Sequence, residues 1–215
     1  MRAAELTPLV QEYEQGTFSA RKIQQTLTRA GYRRLGGGVE STAWGRADGP
    51  VIKVIMPNEG MNTDKAMKSF LRFYRLTKKR PSKHWPRFQA LRDEAGRVSD
   101  FAEFTIDGKK YVQISMERLA ELSPGESLII EDMADSLAQG QSLKKWAFRN
   151  MDDYREQLPQ DIQALEPQLP SLWAAMQVAY RKTGGDYVWD LHGGNAMKRR
   201  DGTIVITDPF IRWDS

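Results

Sequence analysis

The stretch Trp189-Asp190-Leu191-His192-Gly193-Gly194-Asn195-Ala196-Met197, followed by Ile206-Thr207-Asp208, decides how this 215-residue chain is read. Ala196 to Lys198 and Thr203 to Thr207 have the composition of two short strands, and Asp201-Gly202 between them is a turn dipeptide. Asn195 therefore stands at the mouth of a hairpin and Asp208 leaves its far strand. Opposed ends of an antiparallel pair lie about 5 Å apart, so an amide oxygen and a carboxylate there can share one hard cation. Mg²⁺ suits such a pair because it takes oxygen ligands and keeps several waters. Asp190, five residues before Asn195, can reach the same place without ligating. A base that accepts a hydroxyl proton belongs there. Taken singly, each residue has a plainer role: Asp190 and Asp208 as loop caps, Asn195 in an Asx turn. The combination, with a matching site upstream, favours chemistry.

The upstream site is Leu35-Gly36-Gly37-Gly38-Val39-Glu40-Ser41, followed by the apolar run Val51-Ile52-Lys53-Val54-Ile55. Glycines let backbone N–H groups approach phosphate oxygens with no Cβ in the way. A dinucleotide fingerprint would continue straight into a helix, whereas here a strand, a turn at Asp48-Gly49 and the Lys53 strand follow. No Gly-Lys-Ser/Thr follows the glycines, which excludes a Walker loop. The strand–loop–strand order suits a lid over nucleotide phosphates, with the Lys53 ammonium neutralising their oxygens. The alternative, an edge-strand lysine reaching solvent, fits poorly with an apolar run, where an unpaired ammonium is costly.

Working outward, helical periodicity covers Thr7 to Gly31 with a break at Gly16. Its second half has Ser19 as N-cap and buries Ile23, Leu27 and Ala30. Strands are expected at Tyr32 to Leu35, Ser41 to Trp44, Val51 to Ile55, Phe88 to Leu91, Phe101 to Ile106 and Tyr111 to Met116. Asp107-Gly108 turns the last pair. A helix runs from Asn62 or Thr63 to Lys79 and stops before Pro81. Helices follow at Leu128 to Ala138, Leu143 to Leu158 and, after Pro170, Ser171 to Lys182. The expected class is α+β with two lobes: a β-rich N-lobe over 1–116, a reduced helical C-lobe over 117–215, and a cleft near Met116 to Leu122.

Composition narrows the setting. With no cysteine, disulfide scaffolds and thiolate metal sites are out, as suits a reducing cytoplasm. No run approaches the roughly 18 apolar residues of a membrane span, and the first residues lack an apolar signal core, so a cytoplasmic protein without a membrane partner is expected. A net charge of +4 suits anionic ligands without pointing to nucleic acid. Lys78-Lys79-Arg80 with Lys83, and Lys198-Arg199-Arg200, read as a solvated helix end and a hairpin turn. His192 either assists the metal or phosphate or bonds its own loop. Trp189 reads as a core aromatic, and His84 receives no role. Trp146 and Phe148 are expected inside the helical half, with a homodimer interface as the alternative.

Together these motifs resemble the protein kinase signature: Gly-rich loop, strand lysine, the D-x-x-x-x-N loop at Asp190 to Asn195, and Asp208 in a DFG-like position. Ser115-Met116-Glu117-Arg118-Leu119 resembles the strand-to-hinge segment. The resemblance implies a kinase-like bilobal fold using ATP and Mg²⁺. It makes Asp190, Lys53 and Asn195 catalytic, with Asn195 and Asp208 on the metal. The nucleotide would meet Leu35, Gly36, Gly37, Gly38, Ser41, Val51 and Lys53, with Met116 as gatekeeper and Glu117 and Leu119 giving backbone contacts to adenine. The Asp190 to Asn195 loop is also similar to that of aminoglycoside- and choline-type phosphotransferases. The nearest likeness, specific mainly at these motifs, is to the early serine/threonine protein kinases of T7-like bacteriophages. That implies an enzyme of the host bacterial cytoplasm that phosphorylates host proteins and itself.

The chain also departs from the pattern. Val188 and Trp189 stand where His-Arg usually precedes the catalytic Asp, and Pro209-Phe210 follows Asp208 with no glycine. No long activation segment is expected after Asp208, and hence no usual peptide-docking platform. The helix after Lys53 has no glutamate in its body; Asp64, or else Glu59, is left as the lysine's acidic partner. Three functions follow in order: protein kinase, small-molecule kinase, and a non-enzymatic inhibitor built on the fold.

Overall fold

A computed structural model describes residues 20–37, 41–47, 49–55, 63–92, 98–106 and 109–212. The helix expected before Ala20, Gly38, Glu59 and the Asp107-Gly108 turn lie outside them, as does the Asp64 side chain. The chain divides into two compact units, one within 1–67 and 87–118, the other within 68–86 and 119–215.

Among the described residues of the first unit, helix α1 (Ala20–Arg29) comes first and buries Ile23 and Leu27. An antiparallel sheet follows: β1 (Arg33–Gly37), β2 (Ser41–Gly45), β3 (Val51–Ile55) and, after helix α2 (Thr63–Lys79), β4 (Phe88–Gln89), β7 (Phe101–Ile106) and β8 (Lys109–Met116). Its order is β1-β2-β3-β8, with β4 and β7 sharing the far side of β8. A separate ribbon pairs β5 (Leu91–Arg92) with β6 (Val98–Ser99). Side chains alternate across a strand, so register fixes the faces. Trp44, Ile52 and Val54 share one face and pack with Ile23, Leu27, Tyr32 and Tyr111. Val51, Lys53, Ile114 and Met116 share the other.

In the second unit the end of α2 lends Phe73 and Leu76 to a core built on α3 (Pro124–Ala138), α4 (Leu143–Gln157), α5 (Pro159–Leu165) and α6 (Leu169–Tyr180). Two short ribbons rest on this core. One pairs β9 (Tyr187–Trp189) with β12 (Phe210–Arg212), the other β10 (Ala196–Lys198) with β11 (Ile204–Ile206). Phe73 meets Trp85 and Phe210 edge-on, at centroid distances of 5.6 and 6.2 Å.

The α+β class, with an antiparallel sheet preceding a helical half, is the one expected. Several details are corrected. Helix α3 starts at Pro124 rather than Leu128, because Ser123 and Glu126 form a reciprocal capping box with Pro124 in the first turn. Helix α5 and the 3₁₀ turn at Glu166–Gln168 were not expected; their prolines sit at first-turn positions, where the missing N–H costs nothing. Helix α6 likewise opens before Pro170. The three-residue β9 and β12 had no alternation long enough to reveal them. Trp146 is fully buried, as expected, whereas Phe148 on the same helix is 90% exposed. Among the described residues no helix is long and apolar enough to cross a membrane.

Candidate active site

In the second unit the two ribbons bring Asp190, Asn195 and Asp208 together. Strand β9 delivers Asp190, whose N–H donates to Pro209 O at 3.0 Å. That bond ties the start of the loop to the residue after Asp208. Leu191 is buried, and residues 193–195 form a 3₁₀ turn that ends where β10 begins. The Asn195 carbonyl accepts from Thr207 N–H at 2.9 Å and from the Thr207 hydroxyl at 3.0 Å. The expected hairpin mouth is therefore formed, and Asp208 is the next residue along. The Asn195 amide N–H₂ donates to Asp190 O at 2.6 Å and to Asp190 Oδ2 at 3.2 Å. With its nitrogen turned to Asp190, the amide presents its oxygen on the other side.

Burial pushes the Asp190 carboxyl above its ordinary range; the charge on Asp208 adds to this, while His192 and the Asn195 amide work against it. The two carboxylates therefore sense each other. Among the described residues no group of three His, Cys, Asp or Glu side chains is placed to hold a metal. The donors present are one amide oxygen and one carboxylate, a set that fits a magnesium ion sharing its remaining positions with phosphate oxygens and water.

His192 is exposed, and its Nδ1 accepts from Gly194 N–H at 3.1 Å. Of its two expected roles, this contact matches the loop-bonded one. Trp189 is half-buried and meets Tyr180 edge-on at 5.5 Å. Gly193 is packed so closely on α3 that a Cβ there would lie 1.5 Å from Ser127 Oγ and 2.8 Å from Ser127 Cβ.

The basic cluster at 198–200 is largely structural. Lys198 Nζ lies 2.6 Å from the buried Glu126 carboxylate, and Ala120 and Lys198 exchange backbone hydrogen bonds. Burial acts to raise the Glu126 carboxyl, but the bonds from Lys198 and from Ser123 N–H outweigh it and hold it below the ordinary range. A depressed folded-state pKa stabilises the fold above the unfolded value, and that stability is lost as pH falls through the folded one. Lys198→Met should leave Glu126 buried without its cation and cost about 3 kcal/mol. This is the low end for a broken buried pair, because Lys198 keeps 30% of its side chain exposed. Urea unfolding at neutral pH measures the loss, and the gap between parent and variant should close on acidification.

In the first unit, β1 runs through Gly36 and Gly37, which pair with Ala43 and Thr42. The glycine segment is thus part strand and less a loop than expected. A Cβ on Gly37 would lie 2.6 Å from Ser41 O, so only glycine permits this approach of the two strands. Leu35 is 48% exposed and Ser41 half-buried. Lys53 is half-buried on β3, which runs between β2 and β8; the edge-strand alternative is therefore wrong. Met116 is buried opposite Val51. Glu117 N–H donates to Arg87 O at 2.9 Å, and Glu117 Oε1 accepts from Arg87 N–H at 2.9 Å. Leu119, half-buried, belongs to the second unit.

No protein-family model matches the chain, and no curated protein sequence does. Among solved structures it is similar to the amicoumacin kinase hAmiN in complex with AMP-PNP, Ca²⁺ and Ami, at 11% identity and TM-score 0.40, covering 94% of this chain and 68% of that one. It is also similar to an aminoglycoside phosphotransferase from Alicyclobacillus acidocaldarius, at 13% identity and TM-score 0.37, covering 82% of this chain and 61% of that one. A third is the streptomycin–ATP–APH(2″)-IIa ternary complex, at 13% identity and TM-score 0.31, with 90% and 74% covered. Likeness of this degree concerns the course of the chain and leaves substrate and activity to its own residues.

Proposed function

We propose that this protein is an ATP- and Mg²⁺-dependent phosphotransferase of the kinase type. Its acceptor is a serine or threonine hydroxyl of bacterial host proteins, and of the protein itself, in the host cytoplasm. The observation that carries the reading is the bond from the Asn195 amide to Asp190, within a loop whose other end is tied to Asp208 through Thr207 and Pro209. Asp190 accepts the acceptor hydroxyl's proton and orients its oxygen for in-line attack. Asn195 Oδ1 and Asp208 hold the magnesium ion, which when bound neutralises phosphate charge. Lys53, with Gly36, Gly37 and Gly38, holds the phosphates; Leu35, Ser41, Val51 and Met116 shape the nucleotide site. Because Glu117 N–H is engaged by Arg87 O, adenine would meet the Glu117 carbonyl, with Leu119 as a further backbone contact.

Lys53→Met should raise the KM for ATP and lower kcat/KM about 10²- to 10³-fold while leaving the melting temperature within a few degrees, as for loss of one charge-stabilising contact. Steady-state assays over ATP concentration check it; unchanged kinetics would remove Lys53 from the site.

One observation favours a second reading, a small cationic acceptor. Beside Asp190 lies a recess of about 550 Å³ lined by Glu131, Asp132, Asp135, Tyr154 and Trp189 among others, and no lysine or arginine. Incubation with γ-labelled ATP and Mg²⁺ separates the readings. Label on lysate proteins supports the first; label only on added aminoglycosides or other polyamines supports the second. Neither, with ATP bound, favours a host-protein inhibitor.

A further inference from the structure

His84, in the turn after α2, is fully buried, yet phosphate transfer as described assigns it nothing. Among the described residues β10 and β11 form a two-stranded ribbon. Thr203 O and Thr207 N–H bond towards the β10 side, to Arg199 N–H and Asn195 O. Strand geometry then turns the backbone groups of Ile204 and Ile206 outward. Unpaired backbone groups in a core are costly, and here the side chain and backbone of His84 and the side chain of Gln168 meet them. His84 Nδ1 donates to Ile204 O at 2.7 Å, and Ile206 N–H donates to His84 O at 2.9 Å. Ile204 N–H donates to Gln168 Oε1 at 2.9 Å, and Gln168 Nε2 donates to Gly202 O at 3.0 Å. Arg199, itself 8% exposed, completes the clamp by donating to Trp85 O at 2.8 Å and to Lys83 O.

The carbonyl of Ile204 fixes one side of the ring. Ile204 O can only accept, so Nδ1 carries the proton. Nε2 lies 2.8 Å from Ser171 Oγ, and the single proton of that hydroxyl also faces Gln168 O at 3.0 Å, so Nε2 and Gln168 O share one donor. Burial keeps the ring neutral against the pull of the Ile204 carbonyl, and the charges on Lys83 and Arg199 act with burial.

We propose that His84, with Gln168, is a positioning residue for the metal pair. Together they stand in for a third strand and fix the height of β11, and with it Asp208, which follows two residues after Ile206. The inference rests on the reading of Asn195 and Asp208 as metal ligands. Groups that orient metal ligands from outside are worth about 10- to 100-fold in affinity or activity, and a misplacement near 1 Å costs about as much.

His84→Asn and His84→Leu test it. An asparagine amide can place an N–H where Nδ1–H was; leucine fills space without one. The measurements are Mn²⁺ affinity in the presence of ATP, by water-proton relaxation, and kcat, each well below the variant's melting temperature. His84→Leu should weaken Mn²⁺ binding and lower kcat, each by about tenfold or more, and His84→Asn should recover most of both. A leucine variant that binds Mn²⁺ and turns over like the parent overturns the inference. So does an asparagine variant as impaired as the leucine one, since a purely structural role predicts no such rescue. If His84→Leu does not fold, Gln168→Leu, which removes the contacts on Ile204 N–H and Gly202 O, takes its place, and Mn²⁺ binding and turnover like the parent's in that variant overturn the inference. A parent that takes up no Mn²⁺ overturns the phosphotransferase reading itself, and the inference with it.

Discussion

Replacing Asp190 with alanine is expected to lower phosphate transfer by about 10²- to 10⁴-fold, the range for loss of a positioned general base, while the protein stays folded. The geometry makes this an unusually clean removal. The Asn195 amide holds two oxygens of residue 190, and the shorter contact, 2.6 Å, is to the backbone carbonyl. Alanine keeps that carbonyl, so the Asn195 amide stays in place. The lost carboxylate is itself disfavoured where it stands, raised by burial and by the charge on Asp208. Its removal should therefore leave the melting temperature unchanged or slightly higher, the usual sign of a group kept for chemistry at some cost in stability. Labelled-ATP transfer beside thermal melting gives both halves of the result. Activity near the parent's would remove Asp190 as the base, and a large loss of stability would make it a structural loop residue.

Asp208→Asn should behave differently. It retains an oxygen at the proposed metal site but loses the charge, so the activity loss should shrink as metal concentration rises, whereas for Asp190→Ala added metal should restore nothing.

The juxtaposition of Asp190, Asn195 and Asp208 was legible in the sequence where short-range spacing controls geometry. The five-residue spacing from Asp190 to Asn195 and the Asp201-Gly202 turn leave the hairpin little freedom, and Thr207 meets Asn195 as that register demands. The inner-strand place of Lys53 was legible for a related reason, the β-branched run around it. The β9–β12 pairing was not legible, because three-residue strands carry no periodicity and their partners lie far apart in sequence. The contacts of His84 were not legible either, since Ile204 and Ser171 both lie more than 80 positions from it. The capping box at Ser123 to Glu126 was in plain view and was overlooked. Phe148 was misjudged because a helix's apolar residues do not all face the core, and its neighbour Trp146 takes that place, with Nε1 on Asp132 at 2.6 Å.

Gly193→Ala should be the most damaging change that touches no polar group of the site. The added methyl would meet Ser127 Oγ at 1.5 Å and Ser127 Cβ at 2.8 Å. Rotating the hydroxyl away relieves the first contact but not the second, so α3 or the 193–195 turn must move. α3 is anchored by its capping box and by the Glu126–Lys198 pair, and it buries Ile129, Ile130 and Met133 in the core. The turn is the weaker partner, and Asn195 is its last residue. Overpacking costs about 1–3 kcal/mol, and a shift near 1 Å at a reacting group costs about 10²-fold in rate, so activity should fall more steeply than stability. Ser127→Gly clears the space from the other side and should restore much of the activity of Gly193→Ala. Its own effect should be limited to the roughly 1 kcal/mol cost of glycine in a helix. A double-mutant cycle in kcat/KM, with melting temperatures alongside, measures the coupling. Independent effects of the two changes would mean that contact with α3 does not set the position of Asn195.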